Sequence, residues 1–331
     1  MLGVTFKGPD AVRAAEALMV ADVKNMKNGT GSYSLITLPS GGIMDDTVMA
    51  RVADDEIYLV LNAGCVDKDL AHIAETLGPL KLDVKITEHR DRALLALQGP
   101  NAAKILQPLT SLDLSTHYFG QFAVAPVGGA ETFVTRTGYT GEDGFELSVP
   151  LADTVAVTEA LVAGGAKLAG LGARDALRLE AGLPLYGSDL NEHITPVEAG
   201  LTWTIGKARR EGPDAWNFPG GAKAKAQAGV KAGEPGAPAQ RRVGLTVGKG
   251  APPRAHATVI AAGEDPKTAA VRGEVTSGLF SPTLGSNIAM AYIDLPLAKI
   301  GTELQVVVRG KASTATVTKM PFVPTTYYRP E

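Results

Sequence analysis

The sequence predicts an α+β chain of two or three domains that ends in an all-β unit. Three observations carry this. The length of 331 residues exceeds the roughly 100–200 residues of one domain. Strand-like and helix-like segments interleave over the first part of the chain, as in a sheet with helices on one face. Beyond Lys207–Pro238, a stretch rich in Gly, Ala, Pro and Lys, the pattern turns to short strands with turns between them. The overall content of 38 Gly and 21 Pro fits a turn-rich fold.

In the first part, Leu2 to Phe6 is apolar and β-branched, which predicts a strand. Gly8-Pro9-Asp10 makes a turn and cap, and Ala11 to Val20 has the apolar spacing of an amphipathic helix. Thr47 to Val52 and Ile57 to Leu61 read as strands joined by the acidic turn Ala53-Asp54-Asp55. Asp67 stands as the N-cap of a helix through Leu77, stopped by Gly78-Pro79. Val84 to Thr87 and Leu94 to Leu97 read as further strands.

In the middle part, Asn101 to Leu106 is a short helix. Phe122 to Val127 and Glu131 to Arg136 form a hairpin across Gly128-Gly129, with Phe145 to Val149 as a third strand. Ala152 to Ala163 is a helix ended by Gly164-Gly165, and Ala173 to Leu183 is another, entered through Gly170-Leu171-Gly172. Lys207 to Pro238 reads as a surface connection with one helical turn at most. Val243 to Val247, Ala270 to Val275, Ile288 to Ile293, Glu303 to Val308 and Ser313 to Lys319 then read as strands of a small barrel or sandwich, with a tight hairpin at Gly310-Lys311. There is no internal repeat.

Charge and composition exclude several classes of function. The net charge of −3 argues against a nucleic-acid binder. Cys65 is the single cysteine, so neither a disulfide framework nor an all-Cys metal site can form. The five histidines (His72, His89, His117, His193 and His256) show no metal-ligand spacing, and no metal is expected. No uncharged apolar run approaches the ~20 residues that span a bilayer, and the first residues match neither a signal nor a transit peptide. There is no Walker motif and no nucleophile elbow. Gly170-Leu171-Gly172 starts like a dinucleotide fingerprint but lacks its third glycine, and reads as a tight loop into a helix. Cys65, at a strand-to-helix turn, is either a thiol activated by the helix N-terminus or a small packed residue. With no histidine nearby in sequence, the packed reading is favoured.

Three polar clusters remain that a core would not need. Gly41-Gly42-Ile43-Met44-Asp45-Asp46-Thr47-Val48 sets two carboxylates at the mouth of an apolar strand; only one of them can face a given cavity. The alternative is a solvated turn. Arg136 to Glu146 (RTGYTGEDGFE) packs glycines, polar groups and an aromatic between two strands, either as a ligand loop or as a decorated hairpin. Gly172 to Glu180 (GARDALRLE) places Arg174 and Arg178 on one helical face, for a ligand or for surface ion pairs.

Together with YLVLNAGCVDKDLAHI, LLALQGPNAAKIL, GLPLYGSDLNEHITPVEAGLTWTIGK, EVTSGLFSPTLGSNIAMAYI and TKMPFVPTTYYRP, these segments resemble, in order and over nearly the whole chain, the T-protein family of the glycine cleavage system, the aminomethyltransferases. The ending is similar to that of eukaryotic, plant-like members. The resemblance implies a three-domain, cloverleaf-like α+β fold around a folate channel, with a C-terminal β-barrel (a distorted jelly roll). The divisions expected are 1–95, 96–215 and 235–331.

It also implies a function. Family members take the aminomethyl group carried on the lipoyl arm of H-protein, release ammonia, and pass the one-carbon unit to tetrahydrofolate, giving 5,10-methylenetetrahydrofolate. Tetrahydrofolate is the co-substrate and no metal is involved. Lipoylated H-protein and the other glycine cleavage components are the partners; no nucleic acid and no membrane is expected. The compartment implied is the mitochondrion. Family members carry a further segment ahead of the position of Met1 that completes the first domain, and this chain is expected to lack it.

Carried over residue by residue, the resemblance makes Asp46, second of the Asp-Asp pair, the catalytic aspartate. Glu146 becomes the pterin-contacting glutamate, Arg174 the substrate-contacting arginine, and Tyr327 the C-terminal contact. Asn62 resembles the asparagine beside the aspartate, and Tyr139 belongs to the ligand loop. The chemistry suits these residue types. The attacking folate nitrogen gains positive charge, which a carboxylate can stabilise or deprotonate. Adjacent N–H donors on a pterin edge match a bidentate carboxylate such as Glu146. Arg174 suits either the pterin carbonyl or the anionic tail. A basic cluster of Lys207, Arg209 and Arg210, with Arg241 and Arg242, suits an acidic partner or merely solvates the connection into the barrel.

Two other readings share the fold: the folate domain of a dimethylglycine or sarcosine dehydrogenase, and a non-catalytic folate-binding scaffold related to iron–sulfur assembly factors. The first needs a flavin domain for which the chain has no room. The second carries a Lys-Gly-Cys-Tyr-x-Gly-Gln-Glu loop that the chain does not have.

Overall fold

The computed structural model describes residues 1–212 and 214–330. The first sheet is built from β1 (Leu2–Lys7), β2 (Thr30–Thr37), β3 (Ile43–Ala53), β4 (Glu56–Leu61) and β5 (Lys85–His89), in the order β2-β3-β4-β1-β5. Helices α1 (Ala11–Leu18) and α2 (Val66–Leu77) cover one face. Alternation along β3 explains that arrangement. Met49 is buried with Ala11, Ala14, Ala15 and Leu18 of α1 and Ile73 and Leu77 of α2, whereas Ala50 joins Tyr58, Val60 and Phe122 in a separate cluster. The two faces of one strand thus serve two cores.

The second sheet comprises β6 (Arg92–Gln98), β7 (Phe122–Val127), β8 (Ala130–Thr135) and β9 (Gly144–Pro150), ordered β6-β9-β8-β7. Helices α3 (Ala102–Leu106) and α4 (Thr154–Ala163) pack their Leu106, Val157 and Leu161 against it. Strand β6 starts at Arg92 and pairs with β9 along its whole length. The boundary expected at residue 95 would therefore cut a strand of the second sheet, and the first sheet ends ahead of Arg92. Leu94 and Phe133 of the second sheet pack against Ala50, Tyr58 and Val60 of the first, so the two sheets meet face to face around a small cavity.

Helix α5 (Leu171–Glu180) leads, through a long irregular segment, to α6 (Lys207–Arg210) and α7 (Gly221–Gln227). The stretch expected to hold one helical turn therefore holds two short helices. Strands β10 (Gln240–Val247), β11 (Thr258–Ala261), β12 (Gly273–Ser281), β13 (Ser286–Asp294), β14 (Glu303–Val308) and β15 (Lys311–Thr318) close into an antiparallel barrel in the order β10-β13-β12-β11-β14-β15. Its interior is filled by small and branched side chains, among them Val259, Val275, Ala289, Ile293 and Val306, as a six-stranded barrel requires. Leu179 of α5 is buried against Leu279, Ile288 and Met290 of the barrel; each such burial contributes about 1.5–3 kcal/mol.

Candidate active site

Strand β3 decides the site. Asp45 and Asp46 are consecutive, so they face opposite ways. Asp45 is fully buried (0% exposed) towards α2. Asp46 shares the face of Val48 and Ala50, which line a small cavity between the sheets together with Tyr58, Leu94, Phe133, Thr135, Glu146 and Ser148.

Asp46 is held by two donors. The Tyr33 hydroxyl donates to Oδ2 at 2.9 Å, and the Asn62 side-chain amide donates to Oδ1 at 3.0 Å. Tyr33 reaches it because Leu35 is the direct cross-strand partner of Asp46, which makes Tyr33 its diagonal neighbour. Asn62 follows directly on β4, and its amide nitrogen also bonds Asp45 Oδ1 at 2.9 Å. Burial, and then the charge of Asp45, push the Asp46 carboxyl up to about 6, against the pull of the Tyr33 and Asn62 hydrogen bonds. A carboxyl that titrates there can exchange protons near neutral pH. Tyr33, whose own proton burial and Asp46 hold firmly, carries Trp203 stacked at 5.9 Å. The indole is 63% exposed, an apolar ring presented to solvent on the Tyr33 side. Neither Tyr33 nor Trp203 stands in a polar motif that marks it in the sequence.

Glu146 lies on β9 opposite Thr135 and Ala96. Burial raises its carboxyl and the Arg174 charge lowers it. Arg174, in α5, places its guanidinium over the Tyr139 ring at 4.6 Å. Burial raises the Tyr139 phenol, which also feels the charges of Arg178, Asp46 and Arg174; its hydroxyl donates to the Pro184 carbonyl. Asp46 and Asn62 are hydrogen-bonded, Tyr139 is near enough to feel both Asp46 and Arg174, and Glu146 feels Arg174. Tyr327 stands apart from Asp46, stacked on Phe119 at 4.1 Å. The tail that carries it is tied to the ligand loop by Thr326, whose N–H donates to the Gly141 carbonyl at 2.9 Å and whose hydroxyl donates to Glu142 at 2.6 Å.

Other sequence features resolve differently. Arg178 shares a helix face with Arg174 but is 2% exposed. It bonds Asp189 at 2.7 Å and Ser277 at 2.8 Å, so it fastens α5 to the barrel, and it also pairs along the helix with the half-exposed Asp175 at 2.8 Å. The basic cluster is not one patch. Arg209 and Arg242 are 8% and 7% exposed: Arg209 pairs with Glu16 at 3.2 Å, and Arg242 donates to the Ala199 carbonyl at 2.9 Å. The Cys65 thiol is buried and pushed up to about 12, a packed residue and not an activated nucleophile.

The cavity is small, about 10 Å³, with aromatic and aliphatic walls; the half-buried carboxylates of Asp46 and Glu146 are of a type that accepts from ring N–H groups. Comparison with known proteins goes further. Residues 1–209 match the model of the GCVT N-terminal domain, and residues 240–324 that of the glycine cleavage T-protein C-terminal barrel domain. The chain is 50% identical to the mitochondrial aminomethyltransferase of Pisum sativum over 337 residues, which cover 100% of this chain and 79% of that protein. It is 45% identical to the human mitochondrial aminomethyltransferase, over 99% of this chain and 79% of that one. The crystal structure of the glycine cleavage system aminomethyltransferase T from Bartonella henselae superimposes with a TM-score of 0.87 at 34% identity, covering 99% of this chain and 85% of that one.

Proposed function

The chain belongs to the aminomethyltransferase family, the T-proteins of the glycine cleavage system, and from that premise we propose how its residues carry the reaction. The activity is transfer of the one-carbon unit from the aminomethyl-lipoyl arm of H-protein to tetrahydrofolate, releasing ammonia and forming 5,10-methylenetetrahydrofolate. Its relatives from plants, Dictyostelium discoideum and human are mitochondrial, and by that resemblance so is this protein. Lipoylated H-protein and the other glycine cleavage components are its partners in this reading. Among the described residues no helix is long and apolar enough to cross a membrane.

Tetrahydrofolate supplies the nucleophilic nitrogen that receives the carbon. Asp46 stabilises the positive charge that grows on that nitrogen and accepts its proton. Two features support this: its carboxyl titrates near 6, and the donors Tyr33 and Asn62 fix both of its oxygens. Glu146 accepts from the pterin edge. Arg174, laid over Tyr139, holds either the pterin carbonyl or the anionic tail. Tyr327 closes the channel from the C-terminal tail. We read the chain as three units, one for each sheet and one for the barrel, with the channel where they meet.

The single observation that carries the assignment is the half-buried Asp46 on β3, held at both oxygens by Tyr33 and Asn62. Asp46→Asn keeps the shape and removes the charge. Transfer from aminomethyl-lipoyl H-protein falls more than tenfold, about 1.4 kcal/mol in barrier, while tetrahydrofolate still binds, as read by fluorescence titration. An Asp46→Asn enzyme that transfers at the wild-type rate overturns the role.

A further inference from the structure

Behind Asp46 lies a group of side chains that the reaction above does not use. Asp45 and Asp69 are both 0% exposed, and together with the Cys65 sulfur their donor atoms lie within 4.8 Å of one another. Asp45 is well supplied with donors. The Asn62 backbone N–H reaches Oδ2 at 3.2 Å and the Asn62 amide reaches Oδ1 at 2.9 Å. Asp69 is not supplied: neither of its oxygens has a hydrogen-bond partner among the described residues. Lys68 stands 3.5 Å from Asp69 Oδ1, an ion-pair distance. The ammonium spends its short contacts on the Met44 carbonyl and on the Tyr186 hydroxyl at 3.0 Å.

The other charged groups near the pair are Asp46 on the far face of β3 and Glu192, 3.9 Å from Lys68. His72, the next titratable residue along α2, feels Lys68, Glu75 and Glu192. One ammonium does not neutralise two buried carboxylates within 4.8 Å of each other, and two like charges that close and that dry strongly favour one shared proton. One carboxyl of the pair must carry a proton. Asp45, with two donors from Asn62, accepts best as a carboxylate. Asp69, with none, gains a hydrogen bond only by donating.

We propose that Asp69 is a positioning residue for the transfer reaction: its O–H donates to Asp45, and Asp45, so anchored, orients the Asn62 amide that holds Asp46. The chain of contacts runs Asp69, Asp45, Asn62, Asp46. It explains why the amide of Asn62 points its nitrogen at both aspartates: that one NH2 group meets Asp45 Oδ1, Asp46 Oδ1 and the Asp46 carbonyl at 2.9, 3.0 and 3.0 Å. Swapping the amide ends would set its oxygen against two carboxylates. The proposal rests on the reading of Asp46 as the reacting carboxylate.

Two variants and one spectrum test it on the full-length enzyme. In Asp69→Asn an amide N–H replaces the carboxyl O–H at unchanged charge. Its kcat stays within about twofold of wild type, and the acid limb of its pH–rate profile does not move. In Asp69→Ala the donor is gone. Its kcat drops at least tenfold and the acid limb moves to higher pH, as the Asp45 charge bears more fully on Asp46, while KM for tetrahydrofolate changes less than twofold. The infrared difference spectrum of wild type minus Asp69→Asn at neutral pH shows the C=O stretch of a protonated carboxylic acid. That reading needs only variants that keep the buried hydrogen bond. Equal losses in Asp69→Asn and Asp69→Ala, an unchanged acid limb and kcat in Asp69→Ala, or no carboxylic acid band would each overturn the proposal. The infrared band is independent of turnover, so a failure of the Asp46 assignment leaves it standing.

Discussion

Asp46 is kept at a cost to the fold. Its carboxyl titrates at 3.8 when free and at about 6 in the folded chain. The folded state therefore binds that proton more tightly than the unfolded state does. Below about pH 3.8 the group is protonated in both states and costs nothing. Above about pH 6 it is ionised in both, and the half-buried charge destabilises the fold by on the order of 3 kcal/mol. Asp46→Asn removes the charge and keeps Tyr33 and Asn62 as partners. The variant should thus unfold at a higher denaturant midpoint than wild type at pH 8, with the gap closing as the pH falls to about 4. A gap that is the same at both pH values would show that the carboxyl is not held in this way. The pairing of one buried aspartate with one on the opposite face was legible in the sequence, because period-2 alternation forces it. Tyr33 and Asp69 were not: each meets the Asp45–Asp46 pair only through cross-strand register or helix docking, which lie outside any local pattern.

Strand β3 owes its position to a glycine. A Cβ on Gly42 would lie 1.6 Å from the Glu192 carbonyl oxygen, and the next residue, Ile43, donates its N–H to the carbonyls of Asn191 and Ile194 at 3.2 and 3.0 Å. The backbone of β3 thus runs directly against the 191–194 segment, which sets where Asp45 and Asp46 emerge. Gly42→Ala must push the two backbones apart. A loss of about 1–3 kcal/mol or more is expected, with reduced transfer activity. Gly64, where a Cβ meets nothing within 4 Å, provides the control: Gly64→Ala should be neutral or slightly stabilising, by about 0.4–1 kcal/mol. Urea titrations of the two variants measure both effects, and equal costs would rule out the close approach as the cause. The sequence set Gly41-Gly42 at the mouth of a strand, with a solvated turn as the alternative, and could not show that Gly42 is a contact glycine. At the same scale it missed β2 (Thr30–Thr37), where Tyr33 and Leu35 do alternate with Ser32 and Ser34 but over too few residues, next to Gly31, to stand out. It also missed the four-residue β11, too short for any periodicity to show.

The barrel is joined to the rest of the molecule by a polar seam, and Asp189 is its centre. Asp189 is 0% exposed. Its carboxylate accepts from Arg178 at 2.7 Å, from the Leu185 N–H at 2.9 Å, and from the hydroxyls of Ser277, at 2.8 Å, and Thr276 on β12; its carbonyl accepts from Tyr292 of β13 at 2.7 Å. Further along α5, Glu180 accepts from Ser281 at 2.5 Å and Thr283 at 2.8 Å. The sequence could show the strands of the barrel and the helix separately. It could not show that Arg178, one helical turn beyond Arg174, turns inward to bind an aspartate eleven residues on. Removing one partner of a buried pair leaves the other charged and unmatched, which costs about 3–5 kcal/mol. Asp189→Ala should destabilise the protein towards the lower end of that range, because Arg178 keeps only the half-exposed Asp175 at 2.8 Å while the hydroxyls of Ser277 and Thr276 and the Leu185 N–H lose their acceptor. It should also weaken tetrahydrofolate binding, since the helix that carries Arg174 loses its anchor on the barrel. The exposed pair of Lys207 and Glu211, 3.9 Å apart, sets the scale for an ion pair with no such role. Glu211→Ala should shift stability by less than about 1 kcal/mol and leave folate binding alone. If Asp189→Ala behaves like Glu211→Ala in both measurements, the apolar contacts of Leu179 with Leu279, Ile288 and Met290 suffice to hold α5, and the seam only satisfies polar groups that burial would otherwise leave unpaired.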